Sequence, residues 1–166
     1  MKARYFFTIT LTITLLAIST FAIAAAQVSL ETIVEKQKTI IVDGKQQVSY
    51  EPAETTVPGD ILRFTLVYKN SGDEAASDVI LNNPIPPNTL YQADSASGVD
   101  VGVLVFSIDG GKTYNKPAQL MDLVSLTNGS TESRVATPEK YTHIRWTIDL
   151  IPPGGTGQVS FNTLVL

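Results

Sequence analysis

The 166-residue sequence contains no cysteine, which removes several kinds of stabilisation and chemistry at once. Disulfides, thiolate nucleophiles, thiolate metal ligands and lipid anchors on cysteine are all excluded. There is a single histidine, His143, so any catalytic triad or zinc site would have to be built around it. No Gly-x-Ser-x-Gly elbow accompanies that residue. We therefore predict a protein that is not an enzyme and that carries no cofactor.

Basic residues are also scarce. Lysine and arginine number 12 against 16 acidic residues, and the net charge is −4. The basic residues form no cluster that would follow a phosphate backbone. Nucleic acid is therefore excluded as a predicted partner.

The sequence also lacks the apolar periodicity of an amphipathic helix. No segment keeps apolar residues at helical spacing over the roughly ten to twelve residues that a helix needs. Short alternating runs are separated by Gly, Pro and Asn instead, and we count about eight to ten of them. The sequence predicts an all-β antiparallel β-sandwich, with Phe64 and Trp146 as core anchors.

The first 26 residues have the layout of a cleavable signal peptide. Lys2 and Arg4 precede an apolar run, and small residues follow it at positions 22 and 24–26. The predicted cut is after Ala26, with Ala24 as the second choice. A retained membrane anchor is the alternative, although the run is barely long enough to span a bilayer. With residues 1–26 removed, no membrane span is predicted, and we expect the protein to be exported to the cell surface, the extracellular space or the periplasm.

The remaining chain divides at two prolines. Residues 27–55 read as N-terminal strands, with a hairpin at Asp43-Gly44, where both residues tolerate positive φ. Lys36 to Lys38 is expected to interrupt the first strand. Residues 56–166 are the predicted sandwich core, and Pro52 and Pro58 mark the boundary.

Three runs in the predicted core carry the strongest strand patterns. In VPGDILRFTLVYKNSGD, residues 57–73, four apolar side chains share one face: Leu62, Phe64, Leu66 and Tyr68. Residues 103–106 are apolar on both faces, which predicts a strand covered on both sides. Residues 143–150 alternate, and Leu150 is expected to face inward with Trp146. Residues 115–140 are polar and irregular, and residues 120–126 fit either a short strand or a helical turn.

Several motifs occur together in a fixed order. PGDILRFTLVYKNSGDEAASDVILNNPIPPNTLY covers residues 58–91, SIDGG covers 107–111, and IRWTIDLIPPGGTGQVSFNTLV covers 144–165. In this order they resemble the conserved repeat domain of microbial surface proteins, an immunoglobulin-like family of unknown function, number eleven. The resemblance implies an immunoglobulin-like sandwich with an adhesive or scaffold role at the cell surface. Family members often occur as tandem repeats, whereas this chain carries one copy.

Three further kinds of site deserve testing. Asp94, Asp100 and Asp109 are weak calcium candidates because they sit in or near loops, although no Asp-x-Asp-x-Asp-Gly spacing exists. Lys69 and Asn162 are candidates for an intramolecular isopeptide bond, although Lys69 falls on the outward phase of its strand. The Asn128-Gly129-Ser130 triplet fits a glycosylation signal but reads more simply as a turn.

Two functions from different classes follow. The first is a structural protein that self-associates, or joins other surface proteins, into a filament or matrix through β-strand addition. Residues 27–42 are the predicted donor segment, either in another molecule or folded back as the first strand of their own domain. Their apolar residues are Val28, Leu30, Ile33, Val34, Ile40 and Ile41. The alternative is a soluble periplasmic or secreted binding module, which recognises a glycan or a surface protein through residues 82–100 and 115–140.

Overall fold

The computed structural model describes residues 25–98 and 101–166, and in these ranges the chain is all-β with antiparallel sheets. The predicted signal peptide lies outside the described residues except for its last two positions. Asp100, one of the calcium candidates, lies outside them as well. None of the described residues belongs to a helix long and apolar enough to cross a membrane.

Eleven strands occur in the described ranges, one more than the upper end of the predicted number. They are β1 (Val28–Val42), β2 (Lys45–Pro52), β3 (Ile61–Asn70), β4 (Ala76–Pro84), β5 (Thr89–Tyr91), β6 (Ser97–Gly98), β7 (Val101–Ser107), β8 (Met121–Ser125), β9 (Thr131–Val135), β10 (His143–Ile151) and β11 (Thr156–Val165). Short 3₁₀ turns at Pro117–Gln119 and Pro138–Lys140 flank the β8–β9 hairpin. The ambiguous segment at residues 120–126 is therefore mainly a strand.

The strands form two facing sheets and a separate hairpin. The larger sheet has the order β2-β1-β3-β11-β5, with β6 also paired to β11, and the smaller has the order β4-β10-β7. Strands β8 and β9 pair only with each other in the described chain. The arrangement is sandwich-like because side chains from the inner faces of the two main sheets meet in one core.

The predicted core face of β3 is confirmed. Leu62, Phe64, Leu66 and Tyr68 are all buried, and so is Trp146 on the facing sheet. The Phe161 ring on β11 lies 5.1 Å from the Phe64 ring and 6.0 Å from the Trp146 indole, measured between centroids. Phe64 and Trp146 therefore anchor the core from opposite sheets through a shared aromatic neighbour.

Two predictions of burial are wrong. Val103 is 42% exposed and Leu150 is 58% exposed. Val103 pairs with Thr147 on the outer face of the smaller sheet, and the described residues add no third layer to cover that face. Leu150 precedes buried Ile151, so the inward alternation of β10 shifts by one residue at the end of the strand.

The predicted break at Lys36 to Lys38 is also wrong, because β1 continues through it. The strand changes its main partner there: Glu35 and Lys36 pair with both β2 and β3, while later residues pair with β2 alone. The Nζ atom of Lys36 lies 3.6 Å from Asp60, and that of Lys38 lies 2.6 Å from Glu51. The lysines thus keep their charged ends paired while their backbone stays in the ladder.

The turns follow the predicted chemistry. Asp43 and Gly44 both have positive φ, 50° and 73°, which is what a tight two-residue hairpin requires. At the Pro-Gly-Asp corner, Gly59 has a φ of 94°, and the carboxylate of Asp60 accepts a hydrogen bond from the Val57 N–H at 2.9 Å. These corners fix where β3 starts and where the β1–β2 hairpin reverses.

Candidate functional site

The smaller sheet leaves part of β1 uncovered. Leu30 lies opposite buried Tyr68 on β3 and therefore points toward the inside of the sandwich, yet it is 49% exposed. Val28 lies opposite buried Asn70 and is 37% exposed. Only Val34, further along the same face, packs against the core. The sandwich thus has an inward apolar surface that the described part of the facing sheet does not cover.

The open edge of β4 lies on the same side as this surface. Strand β4 pairs only with β10 in the described chain, so its other edge is unpaired there. On the far side of the sandwich, Tyr91 of β5 packs against Phe106 of β7 at 5.1 Å, which brings those two strands together. Strand β4 is therefore on the β1 side. We call the inward face of Val28 and Leu30, together with the open β4 edge, the seam.

The second exposed feature is the far half of the β1–β2 hairpin. Every residue from Lys38 to Val48 is exposed, and β3 pairs with β1 no further than Lys36. We call residues 38–49 the arm. It carries four exposed apolar side chains: Ile40, Ile41, Val42 and Val48. Because β2 occupies one edge of residues 38–42, their other edge has no ladder partner in the described chain.

The arm and the seam lie at opposite ends of one strand. Leu30 and Ile40 are ten positions apart on β1. At about 3.3 Å per residue, they are separated by roughly 33 Å. A contact between the arm of one molecule and the seam of another would therefore be head-to-tail.

All six predicted assembly residues lie in β1, whose main chain is paired within the same molecule. Val28, Leu30, Ile33 and Val34 lie on the part paired to β3, and Ile40 and Ile41 on the part paired to β2. Val34 is half-buried, and the other five are exposed. Folding back as the first strand, the alternative left open by the sequence, is thus the arrangement of this molecule.

Buried Asn70 holds the end of β3. Its side-chain amide donates to the main-chain oxygens of Glu74 at 2.7 Å and Ile151 at 3.1 Å. Its side-chain oxygen accepts from the N–H groups of Gln27 at 3.1 Å and Gly72 at 3.0 Å. One side chain therefore joins the start of β1, the turn after β3 and the end of β10.

The two calcium candidates within the described residues, Asp94 and Asp109, lie on different loops. The carboxylate of Asp109 accepts hydrogen bonds from its own loop, including the Ser107 hydroxyl at 2.7 Å and the Thr113 hydroxyl at 2.6 Å. Its oxygens are thus engaged in fixing a turn. Asp94 is exposed on a different loop. Among residues 25–98 and 101–166, no group of three or more acidic or histidine side chains is arranged to hold a metal ion.

The Asp109 turn carries a pH prediction. Hydrogen bonds from Ser107 and then Thr113 stabilise the charged form and lower the pKa of Asp109 well below its ordinary value of 3.8. The stabilisation is present above that ordinary value and is lost as pH falls through the lowered pKa. Asp109→Asn should therefore lower the melting temperature at pH 7, and the difference from the unsubstituted protein should shrink toward pH 2.

Asp94→Asn is the matched control, because it removes an exposed carboxylate from a different loop. A deficit for Asp109→Asn that stays constant from pH 7 to pH 2 would contradict this role.

His143 is half-buried, and its Nδ1 atom lies 3.2 Å from the Thr142 hydroxyl. The hydroxyl of Ser107, the residue paired with it across the ladder, is directed to Asp109 instead. On the same face, the guanidinium of Arg145 stacks 3.5 Å from the centroid of the Tyr114 ring. The histidine thus belongs to a packed polar patch on the outside of the smaller sheet.

The isopeptide candidates are separated as well. Lys69 is exposed and pairs with Thr156, whereas Asn162 pairs with Arg63. Those two ladder positions lie six residues apart along β3, about 20 Å at strand spacing.

An apolar cavity of about 290 Å³ lies between β5 and β7. Its wall includes Tyr91, Phe106, Tyr141, Pro117 and Pro138, so it draws on both ranges that the sequence assigned to a binding surface. Burial raises the pKa of Tyr91 and Tyr141, which keeps both rings in the neutral phenol form. The tyrosine and phenylalanine rings pack mainly on one another.

The sequence analysis named Val28 and Leu30 only as parts of a donor segment and did not predict that they would form an open surface with the edge of β4. Leu30 alternates with polar neighbours and looks in the sequence like any inward residue of a half-buried strand. Its exposure depends on the smaller sheet being narrower than the larger one. No local sequence pattern indicates how many strands the facing sheet has. The sequence therefore contains no signal that Leu30 would be exposed.

The chain matches no family model, no curated protein and no solved structure among those compared with it.

Proposed function

We propose that the protein is an exported, non-catalytic structural subunit that assembles head-to-tail by β-strand addition. The observation that carries the proposal is that one molecule has both an exposed apolar arm and an open apolar seam, and that the two lie at opposite ends of β1. A heterologous contact of this kind leaves one free arm and one free seam on every oligomer, and the chain of subunits extends into a filament where the rotation between neighbours does not close a ring. The expected site of assembly is the cell surface, the extracellular space or the periplasm.

The sequence supports two parts of this proposal, the export of the protein and its resemblance to immunoglobulin-like surface proteins. The proposed cleavable signal peptide at residues 1–26 accounts for export. An immunoglobulin-like sandwich agrees with the motif order and with two facing antiparallel sheets. On this reading the chain is a single surface-protein module, whose neighbours along the filament are other copies or other surface proteins.

The proposed contact places residues 38–42 of one molecule along the β4 edge of the next. Ile40 and Val42 share one face of the strand and would cover Leu30 and Val28 of the neighbour. Ile41 points to the opposite face, where it would meet Ile80, which is 59% exposed on the outside of β4. An arm with apolar residues on both faces suits a strand that enters a sheet with exposed apolar groups on both sides.

Charge does not distinguish this occupant from another. Asp73, Glu74 and Asp78 lie at or just before the start of β4, and all three are exposed. The tip of the arm carries one exposed cation, Lys45, and one exposed carboxylate, Asp43, which together have no net charge. The proposal therefore rests on the apolar contacts and the open edge, and we expect added salt to change the association little.

The free energy of the contact determines the protein concentration at which assembly should appear. Covering the exposed parts of these six Val, Leu or Ile side chains contributes roughly 5–8 kcal/mol before the cost of association. Ladder hydrogen bonds along the edge are expected to offset most of that cost, so that the net free energy of association stays at about 4–8 kcal/mol. The expected dissociation constant lies between about 1 µM and 1 mM.

Charging the arm should abolish assembly. In sedimentation velocity at about 10 µM to 1 mM, the chain from residue 25 onward should show a growing series of oligomers. The Ile40→Lys/Ile41→Lys double variant should remain monomeric, because two buried lysines would cost more than the contact supplies.

The control is Met121→Lys/Leu123→Lys on the β8–β9 hairpin. Leu123 is 72% exposed, close to the 74% of Ile41, but lies outside the arm and the seam. The control should assemble like the unsubstituted chain, and both variants should melt within about 2 °C of it. Equal loss in both variants, or a strictly monomeric unsubstituted chain, would contradict the proposal.

The binding module is the second candidate, and the cavity at Tyr91 and Tyr141 is the observation in its favour. Its volume lies at the lower limit of ligand pockets, and its apolar lining suits a small aromatic or apolar group better than a whole sugar. Saturable binding of a glycan fragment to the monomeric arm variant, lost in Tyr141→Ala, would favour this reading over assembly.

A further inference from the structure

Residues 25–27, just before β1, are bound to the turn that follows β3. The main-chain nitrogen of Ala25 donates to a carboxylate oxygen of Asp73 at 2.8 Å. Two residues on, the N–H of Gln27 donates to the side-chain oxygen of Asn70 at 3.1 Å. The N–H of Ser71 returns a bond to the Gln27 carbonyl at 2.8 Å. Residues 25–27 and 70–73 thus meet through bonds in both directions.

The turn is shaped for this contact. Asn70 is fully buried and tied to Glu74 and Ile151, so the acceptor for Gln27 is held in place. A side chain at Gly72 would collide with the main chain of residues 25–27. The φ of Gly72 is not in the left-handed region, so what glycine supplies here is room for the incoming strand.

We infer that this turn seats the new N-terminus of the processed protein, and that the mature chain begins at Ala25. The inference rests on the proposed export. Hydrolysis of the Ala24–Ala25 peptide bond by an export peptidase consumes one water, leaving a carboxylate on Ala24 and an ammonium on Ala25. That ammonium would lie against the Asp73 carboxylate, where the structure has a hydrogen bond from the same nitrogen.

The alternative cut after Ala26 fits the turn less well. It removes Ala25 and leaves the Asp73 carboxylate without this partner. The new ammonium at Gln27 would face the neutral amide oxygen of Asn70 instead. Both cuts satisfy the small-residue rule at the cleavage site, with Ala22 and Ala24 or with Ala24 and Ala26. The cut after Ala24 is favoured over the cut after Ala26 because only the former places a new ammonium beside the Asp73 carboxylate.

The first test is the intact mass of protein released by an exporting host that expresses residues 1–166. A product starting at Ala25 supports the inference. A product starting at Gln27 overturns it and leaves the export proposal standing. A cell-associated product that retains residues 1–24 overturns both.

The second test measures the contact itself in chains that start at Ala25 or at Gln27. At pH 6, Asp73→Asn should lower the melting temperature of the Ala25 chain by about 1–3 °C and that of the Gln27 chain by less than 1 °C. Glu74→Gln is the matched control on the same turn, and it should change both chains equally.

A pH series separates an ion pair from a merely structural role. An α-ammonium paired with a carboxylate has a raised pKa in the folded state. Its contribution is fully present below the ordinary value of about 8 and is lost above the raised one. Other charged groups flank the contact: Lys69 and Glu74 adjoin the turn in the sequence, and Glu31 lies on β1 opposite Val67. An Asp73→Asn effect that is equal in both chains, or unchanged between pH 6 and pH 10.5, would overturn the inference.

Discussion

Trp146→Ala is expected to lower the free energy of unfolding by about 3–5 kcal/mol, the largest single effect in the molecule. The indole is 1% exposed, lies on the central strand of the smaller sheet, and contacts Phe161 on the facing sheet. Its ladder neighbours are Leu81 on β4 and Leu104 on β7. Removing the side chain leaves a cavity that neither sheet can fill without changing its pairing.

Equilibrium unfolding in urea measures this loss. Trp146→Phe keeps most of the apolar volume and should cost only about 1–2 kcal/mol, which separates the cavity from any effect of the strand itself. Val103→Ala is the exposed control and should change stability by less than about 0.5 kcal/mol. A cost below about 1 kcal/mol for Trp146→Ala would show that the two sheets do not share this core.

Asn70→Ala is expected to cost about 2–4 kcal/mol, although the residue is small and polar. Its amide is the donor to the buried Ile151 carbonyl and to the Glu74 carbonyl. Truncation leaves a buried acceptor without its partner, which costs about 1–3 kcal/mol for one group. Loss of the bonds to Gln27 and Gly72 adds to that figure.

Asn70→Asp distinguishes the donor from the acceptor. The aspartate keeps the shape and the acceptor oxygen, but the carboxylate cannot donate to the two carbonyls. It should therefore be at least as destabilising as alanine at pH 7. A variant as stable as the unsubstituted protein in urea unfolding would contradict the bonding described for this turn.

The strand pattern was predictable because its causes are local. The alternation of apolar residues from Leu62 to Tyr68 indicates a strand with one buried face. Asp43-Gly44 indicates a tight turn, because both residues tolerate the positive φ that such a turn requires. The approximate ends of β3 were also predictable, because turn residues lie on both sides of it. The hydrogen bonds of Asn70 were not predictable, because its partners at Gln27 and Ile151 are distant in the sequence.

The predictions that failed depended on contacts across the fold. Val103 was predicted to be covered because residues 103–106 are apolar on both faces, yet it lies on the outer face of the smaller sheet and is 42% exposed. Lys36 and Lys38 look like a break, but ion pairs with Asp60 and Glu51 let the strand continue. Coverage and ion pairing depend on contacts across the fold, which a single local pattern does not encode.

The most direct measurement is to mix two defective variants. The arm variant Ile40→Lys/Ile41→Lys keeps an intact seam, and the seam variant Leu30→Lys/Ile80→Lys keeps an intact arm. Each alone should be monomeric in sedimentation velocity, and an equimolar mixture should form a one-to-one dimer that grows no further. A mixture that stays monomeric while the unsubstituted chain assembles, or one that grows beyond the dimer, would contradict head-to-tail assembly through these two surfaces.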